Sequence, residues 1–240
     1  MKDYFIGIDG CRGGWVAAIL EDDLKLIFSQ TLEELKEQIT SSSVTLIDMP
    51  MGLKSQGVGE RICDVEARKF LKKRKMSVFP VPCRQAVYSS NYIEANETNR
   101  RILGKGLSKQ SYNLFSKIIE VDPLLSQNKT ILKSIHEGHP EISFARIGGG
   151  EMSHNKKTVE GFEERLAVIE EFLPAAGTAV ETFMKRYKRS IVARDDILDA
   201  IALALAAKLS LSNGYLLIPE NFSVDSRGIP MRIFIPLSGR

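Results

Sequence analysis

Apolar and polar positions along this chain follow two periods. From Tyr4 to Asp9 a β-branched and aromatic run ends in an acid; the turn Gly10-Cys11-Arg12-Gly13-Gly14 follows, then a second apolar run from Trp15 to Leu20. That is the pattern of a strand, a tight turn and an antiparallel strand. Glu21-Asp22-Asp23 makes another turn before a third run, Leu24 to Ser29, so the N-terminal segment predicts a meander. Thr31 with Glu34 three residues on carries a capping-box signature, and Leu32, Leu35 and Ile39 recur on one face of the helix it would open. A fourth strand, Val44 to Asp48, again ends in an acid and is followed by Pro50.

Residues 51–130 differ in character, with turn-rich and basic segments between helical ones. Helices are expected over Glu60–Lys75, over Asn91–Leu103 with Asn91 as cap, and over Ser108–Val121; Asp122-Pro123 reads as an N-cap followed by proline in the first turn. Alternation resumes with a fifth strand, Ile131–Glu137, and a short helix from His139-Pro140-Glu141 to Gly148-Gly149-Gly150. Amphipathic helices follow over Val159–Leu173 and Gly177–Tyr187, then an alanine-rich helix over Asp195–Ser210. The order of elements predicts an α/β fold: one domain over 1–240 with a mixed five-stranded sheet, flanking helices and a largely helical insertion at about 51–130. It is not the alternating βαβ order of a Rossmann domain.

Composition narrows the class. Of 240 residues, 43% are hydrophobic and 26% charged, as in an ordinary soluble globular protein. A net charge of +3 permits a polyanionic substrate without demanding one. Cys11, Cys63 and Cys83 are odd in number and contain no C-x-x-C pair, which argues for reduced thiols rather than a disulfide framework or zinc ribbon. The apolar stretch Ala200–Ala207 is far shorter than the ~20 residues that cross a bilayer, so no membrane partner is expected. The first residues show no secretory h-region, and a cytoplasmic location is expected.

Glycine and histidine motifs carry little chemistry. Gly10-x-x-Gly13-Gly14 leads into a strand, whereas a dinucleotide fingerprint opens a helix, and no P-loop is present. His136-Glu137-Gly138-His139 lacks zincin spacing, and Gly138 and Pro140 would break the helix such a site requires.

The acids say more. Asp9 and Asp48 each end a strand; if those strands are neighbours, both carboxylates emerge at one edge of the sheet. Asp196 and Asp199 are spaced i,i+3 and share one face of an otherwise apolar helix, while Asp195 is out of phase and suits the helix N-terminus. Four carboxylates within about 5 Å of one another repel by roughly 3 kcal/mol per pair at an effective dielectric near 20. Such a cluster calls for a cation, and all-oxygen ligation selects Mg²⁺ or Mn²⁺, two of which can drive phosphodiester cleavage. The alternative is four unrelated surface acids. Arg61, Arg68, Lys72, Lys73, Arg74 and Arg84 form a basic set; Arg61 and Arg68, seven apart on one expected helix face, either position phosphates or form a solvated surface. Lys156-Lys157 lies near a helix start, where the dipole disfavours lysine, which points to a functional use.

Several segments together resemble one family. They are Gly7 to Trp15, Ile47 to Leu53, Arg61 to Arg68, Val78-Phe79 with Pro82 and Arg84, Gly106 to Gln110, Glu120 to Asp122, Glu137 to Glu141, Lys157 to Arg165, and Asp196 to Ala200. The family is domain of unknown function 429, regarded as predicted nucleases of ribonuclease H-like fold, and the likeness runs from about residue 4 to 208. The acids also match, position by position, those of RuvC-type Holliday-junction resolvases, except that Asp48 stands where resolvases use glutamate and that the insertion is absent from them. The resemblance implies a two-metal nuclease in which Asp9 bridges two Mg²⁺ or Mn²⁺ ions, Asp48 and Asp199 complete one site each, and Asp196 ligates an ion or orients water. Arg12, Arg61, Arg68, Arg84, Lys157, Glu137 and Glu141 are the residues expected on the substrate side, with nucleic acid as partner; a homodimer is compatible. Two rival readings are a phosphotransferase or ATPase of the sugar-kinase and actin type and a non-catalytic nucleic-acid-binding module on the same fold.

Overall fold

The computed structural model describes residues 3–237. β1 (Phe5–Cys11), β2 (Gly14–Leu20) and β3 (Leu24–Ser29) form the antiparallel meander, with Cys11 opposite Gly14 at the first turn. β4 (Val44–Ile47) runs parallel to β1, and β5 (Ile135–Glu137) parallel to β4. The expected sheet of five strands is in fact one of seven, because the C-terminal segment adds β6 (Tyr215–Ile218) and β7 (Ile233–Pro236). β7 pairs parallel with β5 and antiparallel with β6, giving the order β3-β2-β1-β4-β5-β7-β6.

Helices cover both faces. α1 (Lys36–Ser41) follows the meander; the long β4–β5 connection carries α2 (Ile62–Ala67), α3 (Arg84–Val87), α4 (Tyr92–Leu103), α5 (Lys109–Asn113) and α6 (Phe115–Gln127). After β5 come α7 (Pro140–Ile147), α8 (Val159–Glu170), α9 (Ala176–Arg186) and α10 (Arg194–Asn213). Asn91 caps α4 through its side chain, as its sequence position predicts. Other boundaries differ. The expected helix over 60–75 shrinks to α2 and two 3₁₀ turns, so Arg61 and Arg68 do not share a helix face. The Thr31 capping box does not form, since Glu34 instead accepts from Ser29 and Gln30, and the chain enters α1 through a 3₁₀ turn. Asp122 does not cap a helix: α6 runs straight through Pro123, and the Asp122 carboxylate pairs with Arg84 and Arg227. Of the expected strand 131–137, the first part is a 3₁₀ turn and only Ile135–Glu137 joins the sheet.

α10 fixes the architecture. Its residues Ile197 to Ala207 are all buried, as an apolar-all-round helix must be. It lies so close to β1 that a Cβ at Gly7 would fall 2.0 Å from the Ala200 carbonyl oxygen and 2.3 Å from the Ala204 nitrogen. Only glycine allows this approach. Because side chains alternate along a strand, Gly7 and Asp9 face the same way, toward α10. Phe5, Val16 and Ala18 join Phe144 and α10 in the core on that face, while Ile6, Ile8 and Trp15 pack on the other face with Ile118 and Val121 of α6. Cys11, Cys63 and Cys83 are buried and unpaired. No helix among the described residues is long and apolar enough to cross a membrane.

Candidate functional site

The parallel strands β1, β4 and β5 end side by side, and open α/β sheets place their crevices at such carboxyl ends. The Asp48 amide donates to the Ile8 carbonyl at 2.9 Å, and the Gly138 amide to the Ile47 carbonyl at 2.9 Å, which tie the three strand ends together. Asp9 does not end β1, which runs on to Cys11, but lies just past its last pairing with β4; Asp48 follows β4, and α10 brings Asp196 and Asp199 against them through its contact at Gly7. All four acids line one cavity of about 680 Å³, together with Arg12, Glu137, His139, Glu141 and Lys156.

The electrostatics show what this gathering does. Burial, then Asp48 and Asp199, raise the Asp9 carboxyl well above its ordinary value. Burial also raises Asp48, opposed by His139, Lys156 and a hydrogen bond with Asp9. Asp196 is pushed up to about 6 by burial, although its carboxylate accepts the Ala193 amide at 3.0 Å and so also serves the start of α10. Asp199 is pushed up to about 7 by burial, against Lys156.

Lys156 is the principal counter-charge. Its Nζ donates to Asp199 Oδ2 at 2.5 Å and lies 3.9 Å from Asp195. Burial disfavours its charge, yet Asp199 and Asp9 hold it protonated, above the ordinary lysine range. The loop that presents it is pinned to α8, where a Cβ on Gly161 would lie 1.9 Å from the Asn155 oxygen. Lys157, next in sequence, is exposed and outside the cavity lining; its amide caps onto Asn155.

Other sequence-predicted residues are distributed differently. Arg12 is exposed at the cavity. Arg61 is 2% exposed, and its guanidinium bonds Asp64 at 2.5 Å, Glu137 at 2.6 Å and the Met51 and Gly52 carbonyls. Glu137 also accepts the Met51 amide at 2.7 Å, so this clamp fixes the chain just beyond Asp48. Burial pushes Glu137 up to about 7, with Arg61 opposing. Arg68 bonds the Val78 carbonyl and Glu60. Arg84 bridges Asp122 and Asp225, joining the β4–β5 connection to the C-terminal segment. Glu141 pairs with the fully buried Arg165 at 2.7 Å, and Arg165 also holds the His154 and Gly161 carbonyls that frame the Lys156 loop. Two buried polar atoms of cavity-lining residues accept or donate no hydrogen bond, His139 Nδ1 and Glu141 Oε2, the latter lying 3.6 Å from Arg74 Nε.

The donor set suits a hard divalent cation in kind, being carboxylate oxygen throughout. As the side chains stand, Lys156 offsets part of the charge, and no group of three or more His, Cys, Asp or Glu among the described residues is arranged around a metal position.

The family described as protein of unknown function (DUF429) matches residues 7–223, which contain every acid lining this cavity. The chain belongs to the DUF429 family. No curated protein and no solved structure matches it. Membership of the DUF429 family thus names no activity, and the chemistry must be argued from the cavity. Sequence reasoning about this DUF429 chain passed over Asp64 and Lys117, weighed His139 only as part of a zincin-like motif, and favoured Lys157 over Lys156. The paired lysines were a usable signal, but their phase in an irregular loop was not.

Proposed function

We propose that the protein is a divalent-cation-dependent nuclease that hydrolyses phosphodiester bonds in this cavity, on a fold of the ribonuclease H type. The observation that carries the reading is that Asp9, Asp48, Asp196 and Asp199, drawn from β1, the end of β4 and a helix far apart in sequence, line one cavity and all have carboxyls raised by burial. An antiparallel β3-β2-β1 meander followed by parallel β4 and β5, with α10 against β1, supports the fold assignment; β7 and β6 extend it.

A phosphodiester is an anion, and seven acids line this cavity against Arg12, Lys117 and Lys156 as cations. Substrate can enter only if positive charge enters with it. Asp9, Asp48, Asp196 and Asp199 would hold Mg²⁺ or Mn²⁺, which when bound supplies Lewis acidity and charge at the scissile phosphate. Lys156 holds Asp199 in place and its Nζ is within reach of an anion bound beside that carboxylate. Arg12, at the exposed rim, engages a flanking phosphate. Glu137 and Glu141, each committed to a buried arginine, hold the cavity's walls rather than the substrate. Hydrolysis adds water across one P–O bond, leaving a phosphomonoester and a hydroxyl.

The test is cleavage of labelled single strand, duplex, RNA–DNA hybrid and branched DNA by the native protein and by Asp199→Asn, with Mg²⁺, Mn²⁺ or EDTA. Metal-dependent cutting that falls at least about a hundredfold in the variant is expected. Absence of cutting on every substrate, or equal cutting by the variant, overturns the reading; ATP hydrolysis in its place would favour the phosphotransferase alternative.

A further inference from the structure

The cavity has two chemically different sides. All its acids come from the sheet ends, the loop after β4, α2, α7 and α10. Another part of the lining is built by residues 77–81 and 110–117 of the β4–β5 connection and contains no acid. On it stand Phe79, half-buried against the core, and the exposed amides of Gln110 and Asn113, whose side chains make no hydrogen bond among the described residues. Lys117, on the same wall, lies over the Trp15 ring at 4.6 Å.

We propose that this wall receives an unpaired nucleobase, so that the substrate is single-stranded or locally unpaired nucleic acid rather than intact duplex. The inference rests on the nuclease reading and names its substrate class. A nucleotide is itself two-sided, with a charged phosphate and a flat, uncharged base. With its phosphate against the carboxylates and their cations, its base meets the acid-free wall. There the Phe79 ring offers a stacking face, and the Gln110 and Asn113 amides each offer donors and an acceptor to a base edge. A cavity of about 680 Å³ is of the size that encloses a small ligand. A base still paired within a duplex cannot enter such a space without being extruded, whereas an unpaired one enters with no pairing energy to overcome.

Two measurements separate this inference from the nuclease reading. Hydrolysis of bis(p-nitrophenyl) phosphate, a diester with no nucleobase edge, reports the diester chemistry apart from recognition by the Gln110 and Asn113 amides. Binding of a fluorescent single strand and of the same sequence as blunt duplex to Asp199→Asn, followed by anisotropy with Ca²⁺ present, reports base recognition without turnover. The single strand should bind at least about tenfold tighter, and a Gln110→Ala/Asn113→Ala variant should lose about tenfold for it, in line with the worth of one stacked or hydrogen-bonded base. That variant alters exposed residues, and an unchanged thermal midpoint shows that it is folded. Equal affinity for duplex and single strand, or unchanged single-strand binding by the double variant, overturns the inference even where the diester is hydrolysed. Failure to hydrolyse the diester counts against the nuclease reading instead.

Discussion

Lys156 reaches across 43 residues of sequence to place its ammonium 2.5 Å from Asp199 Oδ2. It is the charge that makes a buried acidic cluster tolerable in the absence of an added cation. Replacing it by methionine leaves Asp199 and its neighbours with less compensation. Breaking a fully buried pair costs about 3–5 kcal/mol, and because Lys156 is 34% exposed the loss here should be smaller, about 1–2 kcal/mol. Thermal melts of Lys156→Met in EDTA at pH 8 should show a lower midpoint than the native protein. Millimolar Mn²⁺ should restore more stability to the variant than it adds to the native protein, since cation and ammonium serve the same carboxylates. A midpoint unchanged in EDTA would mean that Lys156 is not the counter-charge.

Asp9 sits on the other side of the same balance. Its carboxyl is raised by burial and by Asp48, Asp199 and Asp196, so at pH 8 its ionised form is the one the cluster resists. Asp9→Asn keeps the shape and removes the repulsion, and should stabilise the metal-free protein by about 1–2 kcal/mol while abolishing metal-dependent cleavage. Urea unfolding in EDTA measures the first effect and the cleavage panel the second. Destabilisation by this substitution would contradict the electrostatic account of the cluster.

Arg61 separates a structural from a substrate-binding role for the basic set. Its donors are spent on Asp64, Glu137 and two carbonyls, and it is 2% exposed. Arg61→Met strands two buried carboxylates and should destabilise the fold by about 3–5 kcal/mol. A phosphate-contacting arginine would behave otherwise, weakening binding with little change in stability. The double substitution Arg61→Met/Glu137→Leu should be less damaging than the sum of the two single ones, because Arg61→Met alone leaves Glu137 buried and unpaired, a cost the second substitution removes while Asp64 stays unpaired in both. Chemical denaturation of the four proteins in the cycle decides the matter.

The acids of the site were legible because their positions follow from periodicity: Asp9 near the end of one strand, Asp48 just past another, and an i,i+3 pair on an apolar helix need only the order of elements to be brought together. The arginines were not. A basic residue in a polar stretch reads as solvated, and only tertiary structure shows that Arg61 and Arg84 are buried among acids distant in sequence, Glu137 for one and Asp122 and Asp225 for the other. Strands β6 and β7 are four residues each and sit beside Pro219, Pro230 and Pro236, too short and too interrupted for alternation to register. Pro123 misleads for the opposite reason, since α6 accommodates it in mid-helix with its buried face packed on the core.

His136 offers a pH test away from the carboxylate cluster. It lies on β5 with its ring 5.7 Å from that of Phe234, and burial, then Arg232, lower its pKa from the ordinary 6.5 to about 4. A group whose folded-state pKa is depressed binds fewer protons folded than unfolded between those two values. Its contribution is therefore fully present above about pH 6.5 and is lost as pH falls toward 4, a loss of about 3 kcal/mol by pH 4. Glu137, Asp196 and Asp199, raised to about 7, 6 and 7, act in the opposite sense over the same range, gaining stability as pH falls. The net pH profile of the native protein thus mixes both signs, and the histidine is read from a difference. His136→Gln has no imidazole to charge, so its stability relative to the native protein should rise steadily from pH 7 to pH 4.5. Urea unfolding of both proteins across that range measures the gap, and a difference independent of pH would show that His136 titrates alike in the folded and unfolded chains.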